Sequence, residues 1–256
     1  MKPVYTTIPV SLCEYAVVNR KVNYLKLYVY LKYISSGHIR FDNRLYQVWA
    51  TDLQVSTKTV INGIEWLKKN KWITVNSKRS GLRIISYSQL CKKLKLNNSK
   101  AVKYDENDFI KFRGFCCGAV ITYYMRRKIF SDRKSKWPGP QMDGSRMSHS
   151  RGPKGYYNLP VRYLSKCLGV SAATANKYKL AAIEARYIII KRNIKSLCDN
   201  GGKKITKDIF ACFADYDNSL SGRLRQGKKY LKVIQADFIH SGIQMKSKRS
   251  KHGEKK

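Results

Sequence analysis

Leu53-Gln54-Val55-Ser56-Thr57-Lys58-Thr59-Val60 and, 115 positions later, Leu168-Gly169-Val170-Ser171-Ala172-Ala173-Thr174-Ala175 are the two segments on which the fold turns. In each, a leucine ends one apolar stretch, two residues make a tight turn and a serine opens a helix. A serine hydroxyl there accepts an otherwise orphaned backbone N–H, worth about 1 kcal/mol. Val60, Ile64 and Leu67 then recur at helical spacing, which predicts a helix over 57–70 with Lys58, Thr59 and Asn62 turned away from its apolar stripe. Ala175, Tyr178 and Ala182 mark a second such helix over 172–185, with Ala173, Thr174, Asn176 and Lys177 outward near its start.

The correspondence extends beyond the turns: Thr59 meets Thr174, Leu67 meets Ala182, and Trp72-Ile73 meet Tyr187-Ile188. The chain is therefore an internal repeat. Gly169 suits a left-handed turn residue at little steric cost. Upstream, 49–53 reads as a short helix and 41–45 as a strand or turn. Leu25, Leu27, Tyr28, Tyr30, Leu31 and Ile34 predict an amphipathic helix over 23–36, and 3–12 reads as an arm or short strand. Downstream, Trp72-Ile73-Thr74-Val75 reads as a strand, 76–81 as a basic turn and 82–87 as the returning strand. In the second copy the strand is 187–191, the hairpin tip Asn200-Gly201-Gly202-Lys203-Lys204 and the return 209–213.

These patterns give a mainly α chain with small β-hairpins, an α+β protein of two tandem units with two separate cores. The first unit spans 1–95, a linker 96–108 and the second unit 109–240; a flexible basic insertion at 131–155 and a disordered basic tail at 241–256 complete the chain. The second unit opens on an apolar helix over 109–130, capped by Asp105, Glu106 and Asp108. The insertion holds six basic against two acidic residues, and the tail six against one.

Helix, short helix, turn, capped helix and basic hairpin in this order, twice, resemble the tandem winged helix-turn-helix DNA-binding proteins. Over most of 23–215 the arrangement is similar to plasmid replication initiators, and the first unit to the N-terminal module of phage replisome organisers. The insertion at 131–155 departs from the initiator layout. The resemblance implies site-specific binding of double-stranded DNA without catalysis, in replication initiation or transcriptional regulation.

Charge points the same way. With 52 Lys plus Arg against 16 Asp plus Glu, the net charge of +36 demands a polyanionic partner. No apolar stretch reaches the length of a spanning helix and no signal-peptide core is evident, so a membrane is excluded as partner and a cytoplasmic setting expected. The seven Cys form no Cys-x-x-Cys pair and the four His lie far apart; these read as small buried thiols, with no metal site and no cofactor.

On a duplex, Lys58, Asn62, Asn176, Ala172 and Ala173 are the candidates for base edges, Lys177 for a guanine or a phosphate, and Ser56, Thr57, Ser171 and Thr174 for phosphates near the helix starts, with Thr59 beside them in the DNA-binding set. Lys78, Arg79 and Arg83, with Lys195, Lys203 and Lys204, are the candidates for flanking phosphates or a minor groove. Trp49, Trp66 and Trp72 are assigned to packing. Three alternatives stand beside this reading: a nuclease or recombinase, a non-specific structural nucleic-acid-binding protein, and a platform that stacks single-stranded bases on tyrosines. The strands of the first unit offer a route to a homodimer.

Overall fold

The computed structural model describes residues 6–40, 42–76, 81–97, 99–134, 155–191, 223–226, 229–232 and 237–247. The chain opens with β1 (Thr6–Pro9), α1 (Val10–Val18), α2 (Val22–Tyr33) and β2 (His38–Arg40). Next come α3 (Leu45–Leu53), α4 (Thr57–Lys69) and the strands β3 (Ile73–Asn76) and β4 (Gly81–Ile84). Then α5 (Tyr87–Lys93), β5 (Lys100–Tyr104) and α6 (Asn107–Ile110) lead to the long α7 (Phe112–Lys134). They are followed by β6 (Tyr157–Asn158), α8 (Val161–Leu168), α9 (Ala172–Glu184) and β7 (Ile188–Lys191). The remaining strands are β8 (Arg223–Gln226), β9 (Lys229–Lys232), β10 (Phe238–Ser241) and β11 (Met245–Ser247). The protein is thus mixed helix and strand, with small antiparallel sheets. Among the described residues no helix is long and apolar enough to cross a membrane.

The repeat has a three-dimensional counterpart. One three-stranded sheet has the order β2-β4-β3 and another β6-β10-β7, so in both the last strand lies between the first two. Helices α3 and α8, then α4 and α9, occupy the same places in the order. The strand paired with β7 is β10, Ile190 standing opposite Ile239; the expected return at 209–213 lies outside the described residues.

Several expectations are corrected. The stretch 96–108 is not a plain linker: β5 is the central strand of the sheet β1-β5-β11 and α6 begins at Asn107. Nor is 241–256 wholly a loose tail, because Met245 pairs with Val102 and Lys246 with Ala101; 248–256 lie outside the described residues. The alternation of buried Val102 and Tyr104 with half-buried Ala101 and Lys103 explains why so polar a segment forms a strand. Within 131–155, residues 131–134 continue α7, and 135–154 are outside the described residues. The return strand expected over 82–87 stops at Ile84, and Ser86 caps α5 in a reciprocal capping box with Gln89. The arm expected over 3–12 divides into β1 and the unforeseen helix α1, most of whose residues are apolar and buried. Helix α2 is central rather than amphipathic: Leu25, Leu27, Tyr28, Val29, Tyr30 and Leu31 are all buried, because α1, α4, α7 and β4 pack around it.

Two separate cores were expected; the buried residues instead form one continuous cluster running through both copies. Helix α7 joins them, packed on α1 and α2 from the first copy and on α8 and α9 from the second. Its contact with α9 is so close that a Cβ at Gly114 would lie 2.2 Å from the Ala185 Cβ and 2.9 Å from the Ala181 carbonyl oxygen. At Gly118 the neighbours are Tyr187 Cβ at 2.7 Å and Ile243 Cδ1 at 2.9 Å. Cys13 of α1 and Cys116 and Cys117 of α7 are buried in this seam, and Cys91 is buried as well, as small apolar thiols should be.

Two outcomes follow from this seam. Gly114→Ala must push α9 from α7 against main-chain atoms, so it lowers unfolding free energy by about 1–3 kcal/mol, read from urea denaturation. Burial pushes the Cys117 thiol up from the ordinary 9.0 to about 12. The fold therefore favours the neutral thiol; that stability is present below the unfolded-state value and lost as pH rises from about 9 toward 12. In the native protein at pH 8 Cys117 resists a disulfide-exchange reagent, while unfolded protein reacts at once.

Candidate nucleic-acid interface

Helix α3 ends because Gln54 takes a left-handed conformation (φ 52, ψ 49), closing the turn with Val55 N donating to the Ala50 carbonyl at 2.9 Å. Helix α8 ends the same way at Gly169 (φ 63, ψ 30), with Val170 N on the Ser165 carbonyl at 3.2 Å. Both next helices are capped by serine. Ser56 Oγ accepts from Thr59 N at 3.2 Å and Ser171 Oγ from Thr174 N at 3.1 Å. Each serine also meets the hydroxyl of that threonine, at 2.8 and 2.9 Å. Two distant segments thus build one turn-and-cap geometry, and Leu53 and Leu168 anchor it by burying their side chains.

The first turns of both helices face solvent. On α4, Ser56, Lys58, Thr59 and Asn62 are exposed and Thr57 half-buried, while Val60, Gly63, Ile64 and Leu67 turn inward. On α9, Ser171, Ala172, Ala173, Asn176 and Lys177 are exposed and Thr174 half-buried, opposite buried Ala175, Tyr178 and Ala182. The structure therefore gathers these candidates at two helix starts. Arg83 is exposed on the central strand β4, between His38 of β2 and Thr74 of β3. Lys78, Arg79, Lys195, Lys203 and Lys204 lie outside the described residues.

The tryptophans pack, as expected. Trp49 and Trp72 are buried, and half-buried Trp66 stacks on Tyr24 with centroids 4.2 Å apart. Lys21 Nζ sits 5.4 Å from that indole and 5.5 Å from the tyrosine ring.

The acidic cluster behaves differently from the expected cap of a long helix. Asp108 Oδ2 accepts from Asp105 N at 2.8 Å and Asp105 Oδ1 from Asn107 N at 2.9 Å, closing the turn that begins the short α6. Asp108 Oδ1 also takes the Tyr187 hydroxyl at 2.5 Å. Burial raises the Asp108 carboxyl, and the hydrogen bonds from Tyr187 and the backbone oppose that rise. Burial and the Asp108 carboxylate together push the Tyr187 phenol far up. Among the described residues no three His, Cys, Asp or Glu side chains gather as a metal site would require.

The sequence reading missed Lys179. It lies one turn from both Ala175 and Ala182, on the inner side of α9, and its Nζ meets Asp237 Oδ2 at 2.7 Å just before β10. That spacing, a lysine within an apolar stripe, was the available signal. Lys26 also turns inward: its Nζ donates to the Leu53 carbonyl at 2.6 Å, and burial lowers its pKa.

No protein-family model matches the chain, and no curated protein or solved structure is found similar to it.

Asp237→Ala leaves the Lys179 ammonium buried without its carboxylate. With Lys179 at 8% and Asp237 at 31% side-chain exposure, the expected loss is at the low end of the range for broken buried pairs, about 3 kcal/mol in urea denaturation. Replacing both with apolar residues of similar size restores most of it.

Proposed function

We propose that this protein binds double-stranded DNA site-specifically, through two winged helix-turn-helix units whose α4 and α9 enter major grooves by their first turns. The observation that carries the reading is the duplicated geometry: a left-handed turn, a serine cap, an outward polar first turn and a three-stranded sheet of one order, built twice in one chain. A helix of this kind fits the major groove, where side chains of its first turns reach base edges. Asn176 is suited to adenine, Ala172 and Ala173 to thymine methyls, and Lys58 and Lys177 to guanine or phosphate. Ser56 and Ser171, with the N–H groups at the helix starts, suit phosphates that set register.

A charge of +36 supplies the sequence-independent attraction such a reader needs. The aromatic inventory favours a duplex over single strands, since Trp49, Trp72 and Tyr28 are buried and Trp66 already stacks on Tyr24. The biological role that fits is non-catalytic, in replication initiation or in transcriptional regulation, and the reduced thiols of Cys13, Cys116, Cys117 and Cys167 suit a reducing cytoplasm.

Selection of bound fragments from random duplex DNA tests the reading, and enrichment of no motif at all would sink it. With the enriched site in hand, Lys58→Ala and Asn176→Ala change the base preference at single positions. Arg83→Ala instead weakens all duplexes alike and makes the salt dependence shallower by about one unit.

A further inference from the structure

The turn between α1 and α2 belongs to the first copy, yet it lies against α9 of the second: Tyr178 donates its hydroxyl to the Val17 carbonyl at 3.1 Å. Arg20 follows in a left-handed conformation (φ 57) that projects it from this turn. Burial raises the Tyr178 phenol, and the charges of Arg113, near the start of α7, and of Arg20 act against that rise. Both arginines are exposed, and neither guanidinium has a hydrogen-bond or ion-pair partner among the described residues. A phosphate chain running past both is attracted by each.

The surface around them is grooved by two depressions. One depression of about 250 Å³ is lined by Arg20, Asn23, Lys26, Thr59 and Asn62, beside the first turns of α4. A second, of about 410 Å³, is lined by Asn23, Lys26, Lys111, Arg113 and Glu184, at the far end of α9. Asn23 and Lys26 line both, so the two are neighbours. Glu184 is the carboxylate of the second depression. Asn23 and Lys111 are exposed like the arginines, whereas Lys26 is engaged with the Leu53 carbonyl.

We propose that this groove is a phosphate-backbone site, in which Arg20 and Arg113 grip one strand of the duplex between the stretches addressed by α4 and α9. The inference rests on the duplex reading above and adds to it a contact that reads no sequence. The guanidinium fork matches two phosphate oxygens at once. Thr59 and Asn62 line the same groove, so a strand leaving the contact with α4 runs directly into it.

The test uses the full chain. Arg20→Asn keeps a residue that tolerates the left-handed turn, Arg113→Ala removes the second fork, and thermal melting verifies that both variants fold. Binding of the selected duplex is then followed by fluorescence anisotropy across a salt series. Each variant is expected to bind every duplex about 10-fold more weakly and to flatten the logarithmic salt dependence by about one unit, with the selected motif unchanged; the double variant flattens it by about two. An unchanged salt slope in the double variant overturns the groove while leaving duplex reading intact. A wild-type protein that binds no duplex overturns both. Titration with inorganic phosphate and with a mononucleotide separates the remaining source: saturable binding of either that disappears in the double variant, together with an unchanged DNA salt slope, marks a small-anion site and refutes the backbone role.

Discussion

Helix α7 can lie against α9 only because positions 114 and 118 present no side chain, and most of the architecture depends on that approach. A Cβ at 114 would sit inside the van der Waals radius of Ala185, and one at 118 inside that of Tyr187. With those atoms absent, α9 and the strand that follows it close onto α7, while the opposite flank of α7 receives α1 and its Cys13. The repeated copies consequently share one interior. The sheet β1-β5-β11 reinforces the union, because its strands come from the start, the middle and the end of the chain.

The scarcity of acids has an unexpected use. Of the carboxylates, Asp52, Glu106, Glu14 and Asp108 accept hydroxyls from Tyr30, Tyr33, Tyr124 and Tyr187 rather than pairing with cations. These bonds fix aromatic rings at the joints between elements: Tyr124 of α7 to Glu14 of α1, Tyr33 of α2 to Glu106 before α6. Half-buried Lys26 and exposed Lys93 turn to backbone acceptors. Lys26 caps the last carbonyl of α3 and Lys93 the carbonyl of Asn70 just past α4, where the negative ends of helix dipoles stand in for carboxylates. The 16 acids of the chain are in any case too few to neutralise its 52 arginines and lysines.

What the sequence disclosed and what it hid divide along a physical line. Turn, cap and helix at 53–69 and 168–184 were legible because each depends on a local rule: a leucine that buries, a left-handed residue, a serine three positions before a backbone N–H. The strands after them were legible because Ile73 and Ile188 fall at one distance from the caps. Features set by partners far along the chain were not. Nothing local to Lys100–Tyr104 announces that Thr6 to Pro9 and Met245 to Ser247 will flank it. The choice of β10 as the neighbour of β7 lies nearly fifty residues away, and the bond of Tyr178 to the end of α1 spans 161 residues. The apolar residues of α2 suit one stripe of an amphipathic helix, although burial on all sides produces the same residues without a polar stripe.

The two copies achieve their close helix contacts from opposite partners. In the first, the glycine is Gly63 on α4, where a Cβ would meet Leu27 Cδ2 at 2.7 Å; in the second it is Gly114 on the supporting helix α7, and α9 carries Tyr178 at the position equivalent to Gly63. Inner faces have therefore been rebuilt while the cap was kept. The outer faces differ as well: Thr57, Lys58 and Asn62 correspond to Ala172, Ala173 and Lys177. Identical turns with unlike side chains place two different chemistries at equivalent points, one rich in donors and one opened by alanines to close apolar approach. On the proposed reading, a duplex engaged by both helices would then present two dissimilar halves, since a thymine methyl suits Ala172 and Ala173 where a hydrogen-bonding base edge suits Lys58 and Asn62. The asymmetry of the bound sequence would follow from the protein's own divergence, with no need for a second copy of the chain to break the symmetry.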